Sequence, residues 1–245
     1  MRLFKRFIKI FSGIVAFVFI YCAISVVAIS YVDSNKRDKI IGDTKSSEGM
    51  FYFKDLDTSA SLIGEIKITF SSLPENIRND IMEKDWCFVF SKTIPEAVLP
   101  DATATNTNGN LGSLQGLTVS TAKTVFIRVS DDINLVRETF VHEIGHIVGC
   151  DLNYLYGRNE FLKIYKECSE AYDCDPYAKT NVSEFFANGF KDYILYPEFL
   201  KEQSSRMYDF YEENITGAFP DTSLKSKIIN SPIAAFNLLI SKIAG

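Results

Sequence analysis

The hydrophobic pattern divides the chain before any motif is read. Residues 1–9, MRLFKRFIK, carry four cationic side chains, and residues 10–32 then run for 23 positions without a charge. At about 1.5 Å per residue, such a run makes a helix of about 34 Å, enough for a bilayer core of about 30 Å. The pattern predicts an N-terminal transmembrane helix, with residues 1–32 as a membrane anchor. The basic end favours the cytoplasm and sends the rest of the chain outside, although Lys36, Arg37 and Lys39 beyond the run oppose that bias. A cleaved signal peptide is the alternative, with Ala28, Ile29 and Ser30 as an acceptable cleavage site. Apolar cores of signal peptides are usually about 7–15 residues, however, and this run is longer. Cys22 is not preceded by a small residue, which argues against a lipoprotein cleavage site. Residues 33–48, DSNKRDKIIGDTKSSE, are polar and read as a linker, leaving residues 49–245 as one domain long enough to bury a full core.

Within that domain, residues 65–70 (EIKITF) alternate and predict a strand. Residues 73–85, with Pro74 near the start, predict a helix, and residues 86–91 (WCFVFS) a second strand. Residues 92–113 are rich in turn formers, and a connection of that length in a compact domain is usually functional or disordered; we expect a flap over a cleft. Residues 114–120 and 124–130 read as a hairpin. Residues 138–150, ETFVHEIGHIVGC, keep Phe140, Val141, Ile144, Ile147 and Val148 at helical spacing, with Asp131 or Asp132 as the cap. Residues 179–195 repeat the helical period through Phe185, Phe186, Phe190 and Ile194, with Thr180 or Asn181 as the cap. After Pro197 the chain reads as helical to its end, with a break at Ser231 and Pro232.

Composition changes this picture little. The chain is 47% hydrophobic and 23% charged, with a net charge of −5, and it has no basic stripe. A nucleic-acid partner is therefore not expected. Trp86, the single tryptophan, reads as core. Cys87, Cys150, Cys168 and Cys174 lack metal-site spacing; they read as reduced thiols, with a bridge between Cys168 and Cys174 as the alternative.

The chemistry lies in the helix at 138–150. Both histidines of the chain, His142 and His146, stand there four apart, with Glu143 after the first. Chance produces that arrangement in roughly one chain in a few thousand. On a helix, residues four apart are neighbours, so the two imidazoles can meet one metal ion. Glu143, about 100° round the axis, reaches water at that ion rather than the ion itself. H-E-x-x-H on a helix is the zinc-peptidase pattern. Catalytic zinc usually takes three protein ligands, and no third histidine exists. Glu184, a carboxylate in the first turn of the second apolar helix, is the candidate. An unpaired charge buried there is costly, and zinc is the partner that would relieve it. Gly145 costs roughly 1 kcal/mol against alanine inside a helix and points to a close-packed neighbour.

HEIGH followed by SEFFANGF resembles the catalytic domain of anthrax lethal factor and its relatives, the Pro-Pro endopeptidases among them. The resemblance is strongest over residues 110–200. It implies an α+β, zincin-like fold with a small mixed sheet, an active-site HExxH helix and a helical C-terminal part. It implies that Tyr177, seven residues before Glu184, supports the transition state. It implies an exposed edge strand before the HExxH helix, to which a peptide adds by main-chain hydrogen bonds; Leu114, Gln115, Gly116, Leu117 and Thr118 occupy that place. Relatives tend to carry an acid four residues after the zinc glutamate, where this chain has Asn188. An amide there can still orient His142 through its second ring nitrogen, with weaker zinc affinity as the expected consequence.

The function expected is that of a zinc endopeptidase, one zinc per chain, acting on protein or peptide substrates outside the cell membrane. A zinc-binding peptide-capture module without useful activity is the alternative, against which an intact Glu143 speaks. A toxin component delivered to a host is a third reading, against which the anchor speaks.

Overall fold

The computed structural model describes residues 46–54, 60–94, 114–152 and 155–215. The expected anchor at 10–32, most of the expected flap at 92–113 and the tail beyond 215, with Ser231 and Pro232, lie outside the described residues. Among the described residues, no helix is long and apolar enough to cross a membrane.

A five-stranded mixed sheet carries the fold, in the order β1-β2-β3-β5-β4. β1 (Ser46–Glu48) and β2 (Phe51–Phe53) form an antiparallel hairpin, whose turn takes the left-handed conformation at Gly49, φ 64°. That is a conformation glycine adopts without steric cost. β2 then pairs in parallel with β3 (Cys87–Ser91), and β3 with β5 (Thr124–Arg128). β4 (Gly116–Val119) runs antiparallel to β5 and closes the sheet as an edge. Every residue of β3 is buried, as a central strand covered on both faces requires.

The first expected strand is a correction. Residues 65–70 lie inside helix α1 (Ala60–Ser72). Leu62, Ile66 and Thr69 are its buried positions, a helical spacing, while Ile68, which the alternation would turn inward with Ile66, is 67% exposed. The β-branched residues favour a strand only weakly, and packing of the 62, 66 and 69 face overrides that preference. The strand that opens the β-α-β unit is β2, whose three residues are too few for alternation to register. The expected linker is also shortened, because Ser46–Glu48 at its end belongs to the sheet. Two further expectations hold with trimmed ends: α2 is Glu75–Glu83 with Pro74 at its cap, and the hairpin at 114–130 is β4 and β5, joined through a short turn at Ser120–Ala122 and a left-handed Lys123.

One sheet face is covered by α3 (Ile133–His146), capped by the Asp132 carboxylate, which accepts from Asn134 N at 3.0 Å and Leu135 N at 3.3 Å. Phe51, Phe88, Phe90 and Phe140 pack between sheet and helix, Phe88 and Phe140 edge to face at 5.1 Å. Edge-to-face pairs add about 0.5–1.5 kcal/mol beyond the area they bury. Trp86 is buried in the same core. On the opposite face, Val89, Leu117, Val119 and Phe126 form a smaller apolar cluster. Beyond α3 the chain widens into a π-helical turn, Ile147–Leu152. The helices α4 (Asn159–Cys168), α5 (Val182–Leu195), α6 (Pro197–Gln203) and α7 (Ser205–Ile215) complete the domain. Phe161, Phe185, Phe186, Phe210 and Tyr211 form their shared aromatic core. The fold is therefore α+β, with a small mixed sheet and a helical C-terminal part. Cys168 and Cys174 are free thiols and do not form the alternative bridge.

Candidate active site

Two helices meet where the motif residues lie. Gly145 of α3 faces Ala187 of α5 so closely that a Cβ on Gly145 would stand 2.8 Å from Ala187 Cα and 3.0 Å from its carbonyl oxygen. Only glycine permits that approach, which is the close-packed neighbour its presence in a helix implies. Gly149, in the π-helical turn, repeats the device against Phe186, whose ring a Cβ would meet at 2.8 Å.

The approach brings the first turn of α5 over the last turn of α3. Asn181 caps α5, its side-chain oxygen accepting from Glu184 N at 3.0 Å. The cap aims the Glu184 carboxylate at the histidines: Oε2 lies 3.2 Å from His142 Nε2 and 3.5 Å from His146 Nε2. One donor atom from each of His142, His146 and Glu184 falls within 4.8 Å of the others. Ligands about 2.0–2.1 Å from a tetrahedral zinc would stand roughly 3.4 Å apart, close to these two histidine-to-carboxylate distances. Charge fits as well. Burial opposes a charge on His146, but the hydrogen bond to Glu184 and the charges of Glu143 and Glu184 outweigh it and raise its pKa. Burial likewise opposes ionisation of Glu184, and the hydrogen bonds and charges of the two histidines outweigh that and hold its carboxyl well below the usual carboxylate range. Both directions describe a partly buried donor set that calls for positive charge, which a divalent cation supplies.

Surrounding groups hold this set. His146 Nδ1 lies 3.2 Å from Ser183 Oγ; were Nε2 to hold a metal ion, the ring proton would sit on Nδ1 and be donated to the hydroxyl, which would orient the ring. Ser183 was not legible as a site residue, because only the helix crossing brings it to His146. Tyr177 sits in a short turn, Pro176–Lys179, fixed by the Asp175 carboxylate accepting from Tyr177 N at 2.7 Å. Its hydroxyl donates to Glu184 Oε1 at 3.4 Å, and the side chain is 41% exposed at the surface of the site. Burial, the charges of Glu184 and Glu143 and the bond to Glu184 push its pKa up to about 12, so it is a proton donor at neutral pH.

Glu143 points the other way, to the sheet. Its Oε2 accepts from Thr118 Oγ1 at 2.7 Å, and it is 5% exposed. Along β4, Leu117 is buried in the far-face cluster, while Leu114 and Gln115 precede the strand; Gln115 O accepts from Arg128 N at 2.7 Å. Asn188 is a correction. Its Nδ2 donates to Asp192 Oδ2 at 3.1 Å, and its Oδ1 accepts from Lys191 Nζ at 3.2 Å. The amide is thus turned along α5 to the buried Asp192, which also accepts from Tyr172 Oη, and is not bonded to His142. A buried carboxylate needs donors, and here it takes the amide that would have reached the histidine.

Comparison with known proteins agrees with this arrangement. Residues 103–214 match the family model described as "Anthrax toxin lethal factor, N- and C-terminal domain". The chain carries a lethal factor-like zinc peptidase domain. It is a metalloendopeptidase, and the matched residues contain β4, β5, the HExxH helix, Tyr177 and Glu184. Among solved structures, the PRO-PRO endopeptidase (PPEP-2) from Paenibacillus alvei is similar at 18% identity and a TM-score of 0.49, over 67% of this chain and 96% of that one. No curated protein matches the chain.

Proposed function

We propose that this lethal factor-like domain is a zinc endopeptidase that uses Glu143 as general base and acts outside the cell membrane, tethered by residues 10–32. The observation that carries the reading is the convergence of His142, His146 and Glu184 on one point, with Glu143 next to it in chain but bonded elsewhere. Zinc held by those three residues supplies the Lewis acidity that makes water a nucleophile at neutral pH. Glu143, not itself one of the three, is free to take the proton of the attacking water and to pass it to the leaving amine. The Tyr177 hydroxyl, partly exposed and protonated at neutral pH, supports a role in donating to the oxyanion. β4, as a sheet edge beside Glu143, supports docking of an extended peptide by main-chain hydrogen bonds. The uncharged run at 10–32, with its basic leading end, supports the tether.

The test uses the full-length chain in detergent against a peptide library, with zinc measured on the same samples. Wild type cleaves a subset of peptides, chelation stops cleavage and added zinc restores it. Glu143→Gln retains zinc and loses about 10²–10⁴-fold in turnover. Wild-type turnover in Glu143→Gln would end the general-base reading, and zinc binding without cleavage of any peptide would favour the capture module. The tether predicts sedimentation with membranes, resistance to carbonate extraction and an intact N-terminus; a mature chain starting near Tyr31 in the medium would contradict it.

A further inference from the structure

β4 meets Glu143 through two residues on one face. Side chains alternate along a strand, and Leu117 and Val119 turn into the cluster on the far face, so Gly116 and Thr118 share the face toward α3. Thr118 Oγ1 donates to Glu143 Oε2 at 2.7 Å and lies 3.2 Å from the Glu143 carbonyl oxygen. A Cβ on Gly116 would stand 2.4 Å from Glu143 Oε1, 2.7 Å from Cγ and 2.8 Å from Cδ. One residue therefore bonds one carboxylate oxygen, and the residue two before it, lacking a side chain, leaves the space that the other occupies.

A glutamate side chain turns about three bonds, and a general base acts only from within hydrogen-bond reach of its proton. We propose that Gly116 and Thr118 form a seat for Glu143: Thr118 fixes Oε2 and with it the carboxyl plane, and the bare backbone at Gly116 makes the room that Oε1 occupies, the oxygen that would take the proton. Both are positioning residues, acting through Glu143. The inference rests on Glu143 being the general base, and it adds that the edge strand offered to substrate also sets where the base stands. A peptide added to β4 and the carboxylate seated on β4 share one frame, so their separation is fixed by the strand.

Thr118→Val keeps shape and removes the donor; Thr118→Ser keeps the donor. On a peptide cut by wild type, Thr118→Val should lower kcat about 10- to 100-fold, the cost of a base misplaced by roughly 1 Å, with zinc content unchanged. KM should stay within about threefold, because the effect lies in the transition state. Thr118→Ser should recover kcat to within about threefold of wild type. In a Glu143→Gln background, the residual turnover should not fall further on Thr118→Val, since residues acting as a unit are not additive. Unchanged kcat in Thr118→Val, an equal loss in Thr118→Ser, a loss confined to KM, or the full loss repeated in the Glu143→Gln background would each overturn the seat. Should Thr118→Val lose zinc or melt early, Gly116→Ala decides, with Thr118 left in place. Its crystal structure should show the Glu143 carboxylate displaced by about 1 Å, with kcat lowered as above, and an unmoved carboxylate would overturn the proposal. Glu143→Gln separates the two levels: if it is as active as wild type, the base itself is wrong, whereas an inactive Glu143→Gln beside a fully active Thr118→Val removes only the seat.

Discussion

On the helical side of the site, His142, His146 and Glu184 are set by packing. The backbones of α3 and α5 touch at Gly145 and Ala187, aromatic rings fill the space around them, and the donor atoms follow from where the helices lie. On the strand side, Glu143 meets the sheet edge through one hydroxyl and one missing side chain. Metal donors held by packing change only if the core changes. A base held by a hydrogen bond can be moved by the loss of a single donor atom. Substitutions on the two sides should therefore separate metal loss from catalytic loss.

Glu184→Ala probes the helical side hardest. It removes one of three donors while leaving the apolar face of α5 intact. Zinc affinity should fall by more than the roughly 10–100-fold that outer-shell changes cost, and cleavage should fall with it, while circular dichroism stays that of wild type. Wild-type zinc affinity in this variant would remove Glu184 from the donor set. Tyr177→Phe comes next, at about 10²-fold in kcat with zinc retained, the scale of one oxyanion donor. Normal kcat there would leave the metal site standing and withdraw the role of the hydroxyl.

Gly145→Ala tests the packing itself. Alanine is about 1 kcal/mol better than glycine in a helix, but its Cβ would meet Ala187 backbone atoms at 2.8 and 3.0 Å. Overpacking costs about 1–3 kcal/mol, and backbone has no rotamer with which to yield, so the clash wins. A melting temperature lower by a few degrees and weaker zinc binding are expected together; a variant as stable and as tight as wild type would show that the helices can part freely. The smallest effect is in pH. Burial, against the opposing influence of Lys191 and Tyr172, raises the Asp192 pKa. A group whose folded pKa is raised contributes stability that is complete below its unfolded pKa, about 3.9 for Asp, and lost as pH rises through the folded value. Asp192→Asn should remove that slope, so the difference in urea stability between wild type and variant should change between about pH 4 and neutrality. A difference flat across that range would contradict the raised pKa.

What the amino-acid sequence determined by itself is local or periodic. The HExxH helix, its cap at Asp131 or Asp132, the α5 face around Phe185 and Phe186 and the hairpin before the motif were legible because each depends on residues within a turn or two. The closeness of Gly145 to another element was legible because glycine inside a helix has a cost that calls for compensation. Tertiary structure decided the rest. EIKITF alternates like a strand, yet long-range packing of Leu62, Ile66 and Thr69 makes it a helix. Phe51–Phe53 is a strand because β1 and β3 lie on either side of it. Asn188 sits at the spacing expected of a group behind His142, but a buried carboxylate on its own helix claims its amide. Ser183 and Thr118 reach His146 and Glu143 from 37 and 25 residues away. Spacing along the chain determines which groups share a helix face. Which groups meet across elements depends on how the faces pack, and no local pattern encodes that distance.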